Sequence, residues 1–347
     1  MKKKTHIYIF QPYPQLGGAD RSIIRIINTY DKAKFTLISL TKCNYSKFLN
    51  KEINYIKLKS ERSIYSIFEL RKKINNVVKN SKNTKNIFIS NQHFANLISI
   101  ISLKKIEKLK LILIDRNHLI ELYNYDSLLS YFKNKIILFL IKILYKKADA
   151  VVGISKTLAG DLSKFINKKV HVIYNSALND YVSKKTYQQV KLPKKILNKK
   201  ILLNVGFFEN QKDQITILKA IKLLSYEFDD FHLILVGRGS KYNKLKNYIK
   251  INKLQNFVSF FTNINNPTYF YQISNLFILS SKYEGFGNVI VEALKNNCPV
   301  ITSNCKSGPM EIIANGKFGD YFNIGDYYNL KNIIKRHFNN EKRLNKK

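Results

Sequence analysis

The sequence predicts an α/β protein of two domains, each a parallel sheet with helices on both faces. Three features predict it. Short apolar runs alternate with amphipathic ones along nearly all of the 347 residues, the pattern of strand and helix units that feed a parallel sheet. A strand, a glycine turn and a helix follow one another at 5–20, at 201–214 and at 276–294. Between the first of these and the other two lies a polar, lysine-rich stretch with Pro193, residues 179–199. It reads as a linker between domains 1–178 and 200–347.

In chain order, a strand over 5–10 leads through a proline-bearing loop to Gly17-Gly18 and a helix from about Asp20. The glycine pair is a flexible turn that also lets backbone come close to a ligand. Strand-like runs at 35–40, 53–58 and 86–90 flank a helical one at 64–78. His93 follows a strand directly, and ligands of open α/β sheets bind beyond the carboxyl ends of strands; a structural or solvated histidine is the plainer reading. The strand over 109–114 ends in Asp115-Arg116-Asn117-His118. Residues 128–147, LLSYFKNKIILFLIKILYKK, suit a long helix. Two readings of it stand open, a buried linking helix and one resting partly on a membrane surface. Ser155 is placed to cap the next helix.

The second half opens with a strand over 201–205, Gly206 and a helix from about Gln214, with Lys212 in the loop as a point charge for a diphosphate. Gly237-Arg238-Gly239 forms a further turn but lacks the third glycine of a dinucleotide fingerprint. After strands near 258–261 and 276–279 comes SKYEGFGNVIVEAL, residues 281–294. Gly285 and Gly287 keep Cβ atoms away from a ligand, Asn288 can cap the helix, and Glu292 falls about one turn inside it. Free N–H groups and the helix dipole converge there on an anion. Carboxylates at 284 and 292 beside such a site make sense if they accept hydrogen bonds from hydroxyls of the same ligand, as in a sugar attached to a nucleotide. The bland alternative is a solvated loop Glu284 and a dipole-favoured Glu292. A strand, Ser307-Gly308-Pro309, a helix with Glu311 and a basic helix from about Tyr327 complete the chain.

Residues 281–294 resemble the Glu-x7-Glu signature of GT-B retaining glycosyltransferases of family 4, the group of bacterial capsule and lipopolysaccharide transferases, and the resemblance runs from the Gly-Gly loop to Gly319. It implies two Rossmann-like domains facing across a cleft, with the donor nucleotide held mainly by the C-terminal one. It implies transfer of a hexosyl or N-acetylhexosaminyl unit from a nucleotide sugar, UDP-linked by expectation, to a lipid-linked or polysaccharide acceptor, with retention and without a metal. Glu284 and the turn Gly285, Phe286, Gly287, Asn288 and Val289 would hold donor sugar and phosphates, Glu292 the ribose, and Gly206 with Lys212 the diphosphate. Gly17 and Gly18 would approach the donor phosphate or the acceptor, and Tyr174-Asn175-Ser176 would lie at the domain crossing. Relatives end one N-terminal strand in a catalytic His. Placement by Asn117 puts Arg116 in that slot and a shift of two residues offers His118; the imidazole is preferred, with Arg116 as a fork for acceptor or phosphate. Where relatives carry Arg after the first glycine of the second domain, Phe207 stands here, and Arg238 is the candidate to replace that cation. Relatives continue into a helix that crosses back to the first domain, and this sequence ends short of it. Rival expectations are a UDP-sugar epimerase or hydrolase of the same fold and a catalytically silent sugar-nucleotide-binding module.

Composition narrows the partners. Lys+Arg number 60 against Asp+Glu 23, a net charge of +37. The excess is nearly all lysine, which A/T-rich codons favour, whereas a nucleic-acid reader uses arginine for bidentate contacts; no recognition motif occurs. An anionic membrane surface is the expected macromolecular partner, and nucleic acid is not. Cys43, Cys298 and Cys305 are odd in number without metal-like spacing, which suits a reducing compartment. The apolar segment of MKKKTHIYIF is too short for a signal peptide and the run 136–145 too short to span a bilayer. No Asp-x-Asp motif occurs. The expectation is a cytoplasmic enzyme, peripheral on the inner face of the membrane.

Overall fold

Along the opening strand β1 (Lys4–Phe10), Tyr8 and Phe10 enter one buried cluster and Ile7 and Ile9 another, because successive side chains of an extended chain point to opposite faces. A sheet buried on both sides must carry helices on both sides. The structure, a computed structural model, describes residues 4–344 apart from 16, 44, 50–51, 82, 124, 126, 178–191 and 265. It divides into units Met1–Ser176 and Ala177–Lys347.

In the first unit β1 is followed by α1 (Gly18–Thr29), β2 (Ala33–Ser39), β3 (Asn54–Lys57), α2 (Ile67–Lys79), β4 (Thr84–Asn91), α3 (His93–Leu103), β5 (Leu109–Asp115), α4 (Leu128–Leu144), β6 (Ala150–Gly153), α5 (Lys156–Ile166) and β7 (His171–Val172). All pairings are parallel, in the order β3-β2-β1-β4-β5-β6-β7. The chain builds outward from β1 to β3, then returns to place β4 on the other side of β1. That reversal is a topological switch point, where the loops after two adjacent strands diverge and leave room for a ligand.

The second unit repeats the plan with α6 (Lys194–Leu197), β8 (Lys200–Val205), α7 (Gln214–Leu224), β9 (Phe231–Val236), α8 (Tyr242–Ile251), β10 (Val258–Phe261), α9 (Thr268–Ile273), β11 (Leu276–Leu279), α10 (Asn288–Lys295), β12 (Val300–Ser303), α11 (Pro309–Ile312), β13 (Asp320–Phe322) and α12 (Tyr327–Leu344). Its parallel order is β10-β9-β8-β11-β12-β13, so the switch point lies between β8 and β11. Leu202, Leu233 and Ile278 face one core with α7, α8 and α12; Leu203, Ile234 and Phe277 face the other with α9 and α10.

Several expectations change. Helix α1 begins at Gly18 with Gly17 as its cap at an ordinary φ of −76°, so Gly18 belongs to the helix rather than the loop. The helix expected over 64–78 is a 3-10 turn, Ser63–Ser66, running into α2. Most of the expected linker lies outside the described residues, and the rest folds as α6, with Leu192 and Ile196 seated in the second core. Helix α4 is not buried: it packs Ile137, Leu138 and Ile141 inward and leaves its other face exposed. Ser155 does cap α5, its Oγ accepting from Leu158 N–H at 3.3 Å.

Candidate active site

The loops after β8 and β11, on either side of the second switch point, are tied to each other by side chains from both. Asn204 at the end of β8 is buried and donates to the Ile278 carbonyl at 2.8 Å, and Gln214 donates to the Phe207 carbonyl at 3.1 Å. The Ser280 hydroxyl donates to the carbonyls of Lys212 and Asp213 at 2.8 and 2.9 Å. Gln211 donates to Tyr283 O at 2.9 Å and accepts from Lys282 N–H at 2.8 Å. So fixed, the Lys212 ammonium reaches the Glu284 Oε1 in a salt bridge, and Ser281 Oγ donates to the same oxygen at 2.6 Å. Glu284 is 6% exposed, which only a paired carboxylate tolerates at low cost.

Behind Glu284 the chain turns through Gly285-Phe286-Gly287 into α10. The Ser307 hydroxyl donates to Glu284 O at 2.6 Å and Gly285 O at 3.2 Å. At Gly308, φ is +55° and a Cβ would stand 2.0 Å from Phe286 O, so no side chain fits there. Gly287, at φ +99°, is the N-cap of α10, and Asn288 is the first helical residue rather than the cap expected for it. Val289 packs its side chain against the core, leaving its backbone in the first turn of the helix. One turn further on, Glu292 Oε2 accepts from the buried Tyr271 hydroxyl at 3.1 Å. At Gly206 a Cβ would meet the Lys212 stem at an ordinary 3.7 Å, so the protein itself does not require glycine there. The Arg238 guanidinium lies 5.9 Å from the centroid of the Phe207 ring, and Phe208 N–H donates to Arg238 O at 2.8 Å, which brings the two turns together.

In the first unit a buried polar network lies at the ends of β4 and β5, beside the reversal between β1 and β4. Arg116, 5% exposed, donates from Nε to Asn91 Oδ1 at 2.9 Å and from Nη1 to Asn175 Oδ1 at 2.7 Å. Burial pushes its pKa down to about 10, opposed by Asp20 and Tyr45. Asp20 in turn accepts from Gln15 and Gly17 N–H at 2.9 and 3.0 Å and from the Tyr45 hydroxyl, which fixes the Gly-Gly loop. His93 stands 2.9 Å from Asp115 and 3.2 Å from Glu121, both contacts close but poorly aligned as hydrogen bonds. Burial pulls its pKa down, but Asp115 and then Glu121 outweigh it and lift it to about 10. The residue before it, Gln92, has a φ of +76°, a strained geometry of the kind that collects at functional sites. His118, the imidazole expected to face the donor, has both ring nitrogens engaged within this unit. Nδ1 accepts from Ile120 N–H at 3.1 Å, so Nε2 donates to Asp161 at 2.9 Å.

The sequence reading missed Asn204, Gln214, Tyr271, Ser281 and Ser307. Asn204, Tyr271 and Ser307 act on partners more than twenty positions away that no local pattern connects to them, whereas Ser281 lies three residues from Glu284 on the same turn. No disulfide joins Cys43, Cys298 and Cys305. Among the described residues no group of three or more His, Cys, Asp and Glu side chains is arranged to hold a metal ion, and no helix is long and apolar enough to cross a membrane.

A family model described as Glycosyl transferases group 1 matches residues 187–347. An uncharacterized glycosyltransferase of Methanocaldococcus jannaschii is 30% identical over 319 residues, 86% of this chain and 76% of that one. The N-acetylgalactosamine-N,N'-diacetylbacillosaminyl-diphospho-undecaprenol 4-alpha-N-acetylgalactosaminyltransferase of Campylobacter jejuni is 28% identical over 184 residues, 52% of this chain and 48% of its own. Among solved structures, Anabaena HepE in complex with UDP-glucose superposes with a TM-score of 0.76 at 19% identity, over 97% of this chain and 90% of the other. The chain belongs to the glycosyl transferases group 1 and is a glycosyltransferase of GT-B fold.

Proposed function

We propose that the protein moves a hexosyl or N-acetylhexosaminyl unit from a UDP-sugar to a hydroxyl of a lipid-linked or polysaccharide acceptor, with retention at the anomeric carbon and without a metal, in cell-surface polysaccharide synthesis. The observation that carries this reading is the pairing of Lys212 with Glu284 at the switch point between β8 and β11. A cation and a carboxylate held side by side suit a ligand that is anionic at one end and hydroxylated at the other. The donor diphosphate draws Lys212, and the sugar hydroxyls take its place on Glu284. As the bond from C1 to the diphosphate breaks, charge grows on the departing phosphate, and we assign Lys212, Arg238 and the N-terminus of α10 to meet it. Glycine at 206, where the protein itself would accept a side chain, fits a ligand lying over that turn. Glu292, steadied by Tyr271, takes the ribose hydroxyls.

Two relatives support the substrate classes. The Campylobacter enzyme is named for a diphospho-undecaprenol acceptor and the Anabaena structure holds UDP-glucose. In the first unit we assign the anion-facing role to Arg116 and a positioning role to His118, whose ring holds the 118–120 turn against Asp161. Product analysis tests the reading. With a panel of UDP-sugars and a lipid-linked acceptor, UDP and a glycosylated acceptor are expected. Free sugar without a glycosylated acceptor would make the protein a hydrolase instead.

A further inference from the structure

Helix α4 carries an apolar face that nothing among the described residues of its own unit covers. Leu128, Leu129, Phe132, Ile136, Phe139 and Ile143 are between 42% and 84% exposed. At about 3.6 residues per turn they fall in one stripe roughly 100° wide, opposite the buried Ile137, Leu138 and Ile141. Single exposed apolar residues are ordinary, but a stripe of six on one helix is not. Lys133 lies along one edge of the stripe, Lys135 and Lys142 along the other, and Lys146 and Lys147 follow its end; all five are exposed. No Asp or Glu occurs from Leu128 to Lys147. The neighbouring elements add to this face: Phe94 on α3 sits under the Lys133 ammonium, 5.1 Å from its ring centroid, and Phe68 at the start of α2, which packs against α3, is 85% exposed.

We infer that this face is an in-plane docking surface for an anionic lipid bilayer, with the stripe set into the headgroup boundary and the lysines at the level of the phosphates. Apolar side chains flanked on both edges by long cationic stems are the arrangement that lies in an interface, because each stem keeps its charge in water while its neighbour is buried. A second copy of the chain is the poorer occupant. Two such faces together would set five lysines against five more with no carboxylate from this segment between them. The surface lies wholly in the first unit and does not depend on which sugar is transferred or on transfer itself.

The chain contains no tryptophan, so Phe139→Trp supplies a single reporter at the middle of the stripe. On vesicles of mixed phosphatidylglycerol and phosphatidylcholine its emission should shift to the blue, and the protein should float with the vesicles. Pure phosphatidylcholine should bind at least tenfold less, and raised salt should release the protein, since surface charges are screened over about 8 Å at physiological ionic strength. Phe132→Glu with Phe139→Glu, both at exposed positions, should abolish flotation at an unchanged far-UV spectrum, and Lys135→Gln with Lys142→Gln should reduce it several-fold. Equal binding to both vesicle types, flotation that survives the paired glutamates, or a lipid-free dimer that those glutamates dissolve would overturn the inference.

Discussion

Lys212 and Glu284 are paired, so a ligand that draws either one weakens its hold on the other. Lys212→Ala should lower turnover by about 10²–10³-fold, the usual scale for losing one preorganised charge at a developing anion. Glu284→Gln should spare UDP binding while lowering turnover with the full donor, because the partners proposed for it on the ligand are sugar hydroxyls. Titration with UDP and with UDP-sugar separates the two. Glu292→Gln should weaken UDP about tenfold, the loss of one charge-assisted bond of about 1.5–3 kcal/mol. Tyr271→Phe, which removes only the orienting hydroxyl 3.1 Å away, should weaken it less; UDP affinity unmoved in both variants would remove the ribose assignment. His93 gives a pH signature. Its pKa is raised from 6.5 to about 10, so the charged form favours the folded state. That stabilisation is complete below about pH 6.5 and is lost as pH rises towards 10. Urea midpoints measured at intervals across this window should fall with pH, and His93→Gln should flatten the slope.

The turn between β11 and α10 is held from behind by Ser307 and Gly308, on the segment that follows β12. Gly308→Ala should therefore damage the donor site from outside it. The backbone at φ +55° resists a side chain and the new Cβ collides with Phe286 O, so strain of about 1–3 kcal/mol should displace the turn. Donor affinity should drop while helix content is kept, measurable by UDP titration and far-UV dichroism. Strands and helices such as 201–205 and α10 were legible in the sequence because apolar runs and 3.6-residue periodicity are local. The positions of Glu284 before α10 and Glu292 within it were legible for the same reason, both lying on one short strand-to-helix unit. The ties that hold the turn were not, since Asn204 acts on a residue 74 positions away, Ser307 on one 23 away and Tyr271 on one 21 away. Helix α4 was left open by its sequence: an apolar and basic run has the same pattern whether its outer face is buried in its own unit or exposed, and the structure shows it exposed.

At the scale of the whole chain, one plan is used twice, each unit being a parallel sheet with a single reversal of strand order and polar residues gathered where the order reverses. The second unit gathers a cation, two carboxylates and glycine turns, a set suited to a nucleotide sugar. The first gathers Arg116, His93 and amide side chains beside the positive-φ residue Gln92. The net charge of +37 would by itself suggest nucleic acid, yet the docking proposed for α4 would give the lysines along its exposed apolar stripe a lipid context that a nucleic-acid surface would not need. The central claim, sugar transfer from a UDP-linked donor with retention, is tested most directly by nuclear magnetic resonance of the anomeric proton. Wild-type protein with a UDP-α-sugar and its acceptor should yield UDP and an α-linked product, and Lys212→Ala should yield both about 10²–10³-fold more slowly. A β-linked product, or free sugar with the acceptor unchanged, would contradict it.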